Sequence, residues 1–478
     1  MPGIKPILAI AVGSALAACA AVPNLGPKPE LASPASLGAQ RSLAGAQGDW
    51  PAEDWWSNFG DPQLAGLMTE ALAGSPDIAA AAARVRAAEA LAEQTGAALL
   101  PHAELEAMAG GTKQSYNLGI PRQFVPKGVI DTGRVTGNFG FDLDLWGRNR
   151  AALAAATSEA DAARVDAEQA RLVLTTAIAA AYADLAQYHA ERDVAVEAAR
   201  VRQATAELTA RRVLNGLDTR GDQRQAESRV PAARAEIAAL DEAIALTRNR
   251  LAALLGAGPD RGLTIARPRL AAATAALPDT VALDLIGRRP DIVAARLRAE
   301  AAASRIKVAR ADFYPNVNLT AVIGLQSLGL DKLFESGSLY GNAGPALSLP
   351  LFEGGRLQGA YRGARARYDE AVAGYNGTLI TALREVADAV ASLRALDTRL
   401  AEQRQALAGA EEAARIARIR YEGGLANQLT ALQADDTMLA FRRAVADLEA
   451  RRFTLQVALV RALGGGFRDS GSRLAGLH

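Results

Sequence analysis

Residues 134–147 read RVTGNFGFDLDLWG, and apolar and polar side chains alternate along this stretch until a glycine ends it. An alternation with a period of two predicts a β-strand that has one apolar face and one polar face. The apolar set is Val135, Gly137, Phe139, Phe141, Leu143 and Leu145, and the other set is Thr136, Asn138, Gly140, Asp142 and Asp144. We therefore expect a strand that runs to about Trp146 and stops at Gly147.

An alanine-rich segment follows, and it contains neither proline nor glycine between residues 148 and 213. Roughly 65 helical residues at 1.5 Å each predict a rod of about 100 Å. Residues 215–217 then read NGL and predict a tight turn. A second helix is expected from about residue 219 to 255, with a kink at Pro231. Together these elements form a predicted helical hairpin, residues 148–256.

A companion strand lies upstream of the quoted stretch. Its alternating residues are Ala103, Leu105, Ala107 and Ala109 on one face and His102, Glu104 and Glu106 on the other. A loop rich in glycine and proline separates the two strands, so we predict a β-hairpin at residues 102–146. Further upstream, a helical region is expected at 62–98, with a break at Ser75-Pro76. Trp55 and Trp56 precede it and are interpreted as packing anchors.

The same order of elements returns in the second half of the chain. The stretch SPDI at 75–78 is matched by RPDI at 289–292, and the turn at 215–217 is matched by a second glycine turn at 423–425. Collinear matches of this length predict two copies of one structural unit. The predicted division is a first repeat, 62–256; a linker, 257–277; a second repeat, 278–466, with a β-hairpin at 316–351 and a helical hairpin at 355–464; and a C-terminal tail, 467–478. The fold class that follows is mainly α with a small β part of four strands.

The N-terminus predicts export. Lys5 precedes a short apolar run, which is typical of a signal peptide over residues 1–18. The stretch LAAC that ends at Cys19 has the form of a lipobox, so we expect Cys19 to be acylated and to begin a lipidated, extended leader over 19–61. An ordinary signal peptide that contains a chance cysteine is the alternative.

Composition and motifs argue against several other classes of protein. A formal net charge of +1 over 478 residues gives no electrostatic reason to bind nucleic acid. The three histidines are scattered, and no metal-ligand, nucleotide-binding or nucleophile motif occurs in the sequence. We therefore expect no enzymatic activity, no metal and no cofactor other than the lipid on Cys19.

Four amphipathic strands are too few to close a membrane barrel, which needs about eight or more. An open sheet in lipid would leave backbone groups unsatisfied, so the chain must oligomerise if its strands enter a membrane. Three copies would supply about twelve strands. The predicted lumen residues are Asn138, Asp142, Asp144, Asn316 and Asn318, and the predicted lipid-facing residues are Phe139, Phe141, Leu143 and Leu319. A periplasmic stalk or adhesin without a pore is the alternative.

Five stretches carry a resemblance to a known family. They are WWSNFGDPQLAGLMTEAL at 55–72, FDLDLWGR at 141–148, RRPDIVAARLRAEAAASRIKVARADFYPNVNL at 288–319, PLFEGGRL at 350–357 and RYEGGLANQLTAL at 420–432. In this order they resemble the TolC-like outer-membrane efflux channels, specifically the lipoprotein branch that serves resistance-nodulation-division (RND) pumps. The resemblance covers nearly all of residues 55–466.

The resemblance implies a homotrimer with a 12-stranded β-barrel in the outer membrane and an α-helical barrel across the periplasm. The inter-repeat linker would belong to a belt around the helices. A periplasmic adaptor would dock at the hairpin tips, and an inner-membrane RND transporter would supply energy, so this chain would be a passive exit duct for drugs or other small toxic compounds. A duct for ATP-driven protein or peptide secretion is the alternative. The tip residues are Asn215, Gly216, Leu217, Gly423, Gly424 and Leu425.

The resemblance also implies a periplasmic gate made of charged rings. The family often has an aspartate a few residues after the second tip, where this sequence has Gln433. Asp435 and Asp436 follow within one turn and are predicted to supply the ring instead; the alternative is that they cap the helix or pair with Arg442 or Arg443. If they form the gate, replacing both by alanine should raise the resting conductance.

Overall fold

The structure is a computed structural model that describes residues 22–39, 41–43, 49–117, 119–271 and 281–469. The predicted signal peptide, residues 1–18, and Cys19 lie outside the described residues. So do residues 272–277 of the predicted linker and 470–478 of the predicted tail.

The first repeat contains four main helices and a pair of strands. Helices α1 and α2 are followed by strands β1 and β2, and then by the long helices α3 and α4. Their bounds are α1 Pro62–Gly74, α2 Pro76–Gly96, β1 His102–Thr112, β2 Ile130–Asp142, α3 Arg148–Leu214 and α4 Arg220–Leu254, with a short helix α5, Asp260–Leu263, in the linker. The helix break at Ser75-Pro76 falls where it was predicted, and α4 runs through Pro231 as one helix.

The second repeat has the same order of elements. The bounds are α6 Val281–Arg288, α7 Pro290–Ala311, β3 Asn316–Leu328, β4 Leu339–Ser348, α8 Arg356–Glu422 and α9 Gln428–Ala462. Helices α3 and α8 both have 67 residues, and α4 and α9 both have 35. Equal lengths in equal order confirm the internal repeat and the mainly α fold class.

The four strands form one antiparallel sheet in the order β1-β2-β3-β4. Phe139 lies opposite both Ala103 and Ala321, and Ala321 lies opposite Ala343. Because directly opposed residues share a face, the odd-numbered apolar residues of all four strands lie together. The alternation read from the sequence therefore continues across the whole sheet.

Strand β2 ends at Asp142, so the prediction of a strand to Trp146 was too long. The backbone turns at Asp144, which has a positive φ of 45°. Its carboxylate accepts hydrogen bonds from the amides of Asn149 (2.8 Å) and Arg150 (3.0 Å), the first turn of α3. Asp144 is thus a helix cap rather than a lumen residue on a strand. In the second repeat, β4 likewise ends at Ser348, before the predicted limit of 351.

The described chain forms two compact units. The first contains the sheet and is drawn from the described residues within 22–30, 85–162 and 296–374. In it the leader lies along α8, where Arg365 donates to the carbonyl of Pro27 and Tyr368 donates to that of Pro29 at 3.1 Å. The extended leader predicted from the sequence therefore follows a helix.

The second unit is drawn from the described residues within 31–84, 163–295 and 375–469. Its largest core cluster surrounds Trp55 and Tyr182, and the Tyr182 hydroxyl donates to Asp61 at 2.7 Å. Trp55 is buried and Trp56 packs on the same cluster, so both are packing anchors as predicted. Within the described residues, no helix has the length and apolar character needed to cross a membrane.

Candidate functional site

The sheet presents a continuous apolar face to its surroundings. Leu105, Ile323 and Leu347 are 75%, 57% and 70% exposed, although each lies on the side where the other strands are also apolar. An exposed apolar surface of this extent requires a partner or a lipid phase. Strands β1 and β4 each have a strand neighbour on one side only among the described residues.

The opposite face of the sheet is polar. Its central feature is a cluster in which Arg134 donates to the Thr136 hydroxyl at 2.9 Å and to the Tyr340 hydroxyl at 3.0 Å. The hydroxyl oxygens of Thr136 and Tyr340 lie 2.6 Å apart, and Thr136 is fully buried. The predicted lumen residues Asn138, Asp142, Asn316 and Asn318 lie on this face by register. The arrangement suits a water-filled interior.

The two helix tips have the same backbone geometry. Gly216 and Gly424 both have φ of 72°, a conformation that glycine adopts without a steric cost. The amide of Leu217 donates to the backbone carbonyl of Arg212 at 2.9 Å, and the amide of Leu425 donates to the backbone carbonyl of Arg420 at 2.7 Å. These are the bonds of a Schellman ending, which satisfies carbonyls at a helix C-terminus.

Both tips are open to solvent, as expected of docking surfaces. All six predicted docking residues are exposed, and Leu217 and Leu425 are 63% and 73% exposed. The return helices begin at side-chain caps, with Thr219 capping α4 and Asn427 capping α9. Each tip is therefore a fixed turn that displays an apolar side chain.

A buried polar cluster joins the two tips, and sequence reasoning missed it. Asp218 after the first tip accepts from Arg212 at 2.9 Å and from the Tyr421 hydroxyl at 2.6 Å. The Arg212 guanidinium lies 4.4 Å from the centre of the Tyr421 ring and also donates to the Tyr421 carbonyl. Gln428 donates to Thr209 at 2.8 Å within the same cluster. The only signal in the sequence is a tyrosine two residues before the second glycine turn.

The tip cluster alters the chemistry of its tyrosine. Burial, together with the hydrogen bond donated to Asp218, raises the pKa of Tyr421 to about 12. The phenol therefore stays protonated and remains a hydrogen-bond donor at any physiological pH. The contact between the two helical hairpins is thus insensitive to titration of this group.

The three predicted gate residues have different surroundings. Gln433 is exposed on α9. Asp435 is buried and pairs with Arg418 of α8 at 2.7 Å. Asp436 pairs with Arg229 of α4 at 2.5 Å and lies 3.7 Å from Arg202 of α3. Both carboxylates are thus already neutralised by arginines on other helices.

The alternative of pairing along the same helix is wrong. Arg442 pairs with Glu411 at 2.5 Å, and Arg443 pairs with Glu236. The ion-pair partners of these four residues lie on neighbouring helices, which the sequence alone does not show. A ring of free carboxylates at 435 and 436 is therefore corrected to a set of ion pairs, while the contribution of these residues to a gate stays a prediction.

The other predicted sites involve the N-terminus and metals. Cys19, the predicted lipidation site, is outside the described residues. In the part of the chain that the structure describes, no three residues of the metal-binding types are grouped.

Comparison with known proteins gives concordant matches over most of the chain. The family model described as outer membrane efflux protein matches residues 67–257 and 282–465. The fusaric acid resistance protein FusA of Burkholderia cepacia is 37% identical, over 76% of this chain and 70% of its own. The multidrug resistance outer membrane protein MdtP of Escherichia coli is 31% identical, over 88% of each chain. The crystal structure of the outer membrane protein VceC from Vibrio cholerae has a TM-score of 0.84 and 46% identity, covering 88% of this chain and all of that one.

Proposed function

Since the chain belongs to the outer membrane efflux protein family, we propose that it acts as the homotrimeric exit duct of a tripartite RND-type efflux system. As a member of this family it is an outer-membrane efflux channel protein. Family members are channels and not enzymes, and family membership favours a channel over a stalk without a pore.

The observation that carries the proposal is the sheet with its two unlike faces. One face is apolar and exposed, the other carries Arg134, Thr136, Asn138 and Tyr340, and both edges are open. Closing three such sheets edge to edge gives twelve strands with lipid outside and water inside. A closed ring of copies satisfies both the edges and the faces, and the choice of three copies rests on the family resemblance.

The adaptor is proposed to bind at the tips. Leu217 and Leu425 project from turns whose backbone is already fixed, so docking would require little ordering of the chain. The repeat supplies two similar tips per chain, and a trimer would therefore present six. An adaptor with a repeated binding surface fits this arrangement.

The proposed cargo is a small toxic compound. This rests on the relatives, whose names refer to multidrug resistance, fusaric acid resistance and cation efflux. The duct itself is passive, and the pump would choose the substrate. Lipidation at Cys19 would tether the trimer to the membrane in addition to the barrel.

Two measurements test the proposal. Purified protein in planar bilayers should give single conductance steps, one per trimer, because three chains share one pore, and a preparation that inserts without conducting would overturn the channel. Crosslinking in cells from a photoreactive residue at Leu425 should recover an RND-system adaptor. Recovery of an adaptor from an ATP-driven secretion system would indicate that the cargo is a protein or a peptide instead. The matched control is the same residue at Leu246 of α4, which is exposed but far from the turns in sequence.

A further inference from the structure

A cavity of about 340 Å³ lies in the first unit, where the sheet ends and the long helices begin. It is enclosed by three segments: residues after β2, residues around the start of β3 and residues after β4. We call it the junction cavity. The side chains that matter here are Asp142, Trp146, Tyr314, Asn316, Asn318 and Ser348.

The cavity opens on the polar face of the sheet. Asp142 lies opposite Asn318, and Asn316 lies opposite Ser348, all at even-numbered positions. These four form a polar patch across three neighbouring strands. Since that face lines the lumen in the proposed channel, the cavity would be reached from the export path.

Most charges around the cavity are already paired. Asp144 pairs with Arg150, and Asp312 pairs with Arg148, each at 3.0 Å. The remaining pair in the wall is that of Glu353 and Arg356, at 2.5 Å. These ion pairs build the wall and leave little net charge of their own.

Two acceptors in the described wall have unfilled hydrogen-bonding capacity. Asp142 accepts from the amide of Asp144 at 2.8 Å, and no arginine or lysine of the described chain forms an ion pair with it. The side-chain oxygen of Asn318 is buried and has no hydrogen-bond partner within the structure as described. A buried acceptor without a donor costs free energy until a donor arrives. The cavity therefore favours a ligand that carries N–H or O–H donors, and the carboxylate favours one with positive charge.

An aromatic wall lies beside these acceptors. Trp146 stacks on Tyr314 with ring centroids 4.7 Å apart, and its indole N–H donates to the carbonyl of Pro315 at 2.7 Å. The ring is fixed by both contacts, yet Trp146 stays 51% exposed. A fixed and open indole offers a surface for an apolar group and attracts cations.

We propose that the junction cavity is a binding site for organic ammonium compounds on the export path. The ammonium donates to the Asp142 carboxylate, and the apolar body lies against Trp146. A volume of about 340 Å³ suits one small organic molecule. The location on the export path rests on the proposed function, whereas binding itself does not.

The test uses purified full-length protein and three probes with the same phenyl ring. These are 2-phenylethylammonium, neutral 2-phenylethanol and anionic 3-phenylpropionate, and ligand-observed NMR measures their affinities. The ammonium should bind on the order of tenfold more tightly than the alcohol, because a charge-assisted hydrogen bond is lost with the charge. The carboxylate should show the weakest binding.

Variants then locate the site. Asp142→Asn should weaken ammonium binding about tenfold and leave alcohol binding nearly unchanged. Glu104→Gln removes a carboxylate from the same face outside the cavity and should leave both affinities as in wild type. Equal affinities for the three probes, or an equal loss in Glu104→Gln, would overturn the site.

Bilayer conductance of the same preparations separates the two proposals. A conducting protein that binds none of the probes would overturn the junction cavity and leave the channel intact. A protein that binds the ammonium with the expected variant pattern but does not conduct would support the site and overturn the channel.

Discussion

The pKa of Asp435 is determined by the groups that surround its carboxyl. Burial raises the pKa of this carboxyl, the Arg418 ion pair opposes the rise, and the charge of Asp436 adds to it. The net direction is upward from 3.8. The folded protein therefore takes up this proton at a higher pH than the unfolded chain does. Between 3.8 and the raised pKa, the stability contributed by this group increases as the pH falls.

We expect Asp435→Asn to remove this pH dependence. In thermal unfolding of the helical part, wild type should gain stability relative to the variant as the pH is lowered from 7 towards 4. A relative loss for wild type on acidification would mean that the pair with Arg418 outweighs burial.

Tyr421→Phe should loosen the contact between the two helical hairpins at their tips. It removes the hydroxyl that donates to Asp218 at 2.6 Å but keeps the ring beside Arg212. The expected cost is about 1 kcal/mol in local opening, measured as faster amide hydrogen exchange around both tips. Tyr188→Phe, on α3 and distant from both tips in sequence, is the control; unchanged exchange at the tips in Tyr421→Phe would contradict a linking role.

At the scale of elements, the junction between β2 and α3 depends on one cap. The Asp144 carboxylate accepts hydrogen bonds from two backbone amides of the helix, and the Arg150 guanidinium donates to it as well, at 3.0 Å. Asp144→Ala should lower the free energy of unfolding by about 1–2 kcal/mol, seen as a lower midpoint in thermal unfolding. Asp144→Asn should recover part of the loss, since asparagine accepts hydrogen bonds and tolerates positive φ. Equal stability of the alanine variant and wild type would show that the turn holds without its cap.

The elements themselves were largely readable from the sequence. The ends of α3 and α4 fall within about a residue of the predicted limits, because the glycine turns and the absence of internal breaks define them. Strand β2 was overextended, because the alternation DLDL continues past the point where Asp144 turns to cap a helix. A period-two pattern cannot distinguish a strand residue from a polar cap that follows in phase.

The tip cluster and the ion pairs at Asp435 and Asp436 were not predictable in the same way. Tyr421 and Asp218 are 203 residues apart, and Asp436 and Arg229 are 207 apart. Such pairs depend on how two helical hairpins pack, and periodicity within one helix carries no information about it. The repeat indicated that two hairpins exist but not which faces they share.

At the scale of the whole molecule, edge pairing between subunits is open to a direct test. Leu105→Cys on β1 combined with single cysteines at 339, 341, 343, 345 and 347 on β4 samples the pairing register on the apolar side. One or two of these pairs should form disulfide-linked trimers on oxidation, because β1 of one subunit would meet β4 of the next. The control combines Leu105→Cys with Leu319→Cys, since β3 already has strands on both sides. A series without intersubunit links would contradict the closed barrel.

The exposed apolar face of the sheet also bears on biogenesis. A newly exported subunit would carry this face and two open strand edges through an aqueous compartment, where both favour aggregation. Lipid alone would not relieve the edges, and pairing alone would not cover the face. Insertion and subunit association therefore have to be completed together. The yield of mature protein should accordingly rise more steeply than linearly with the rate of synthesis, as expected of a three-body reaction.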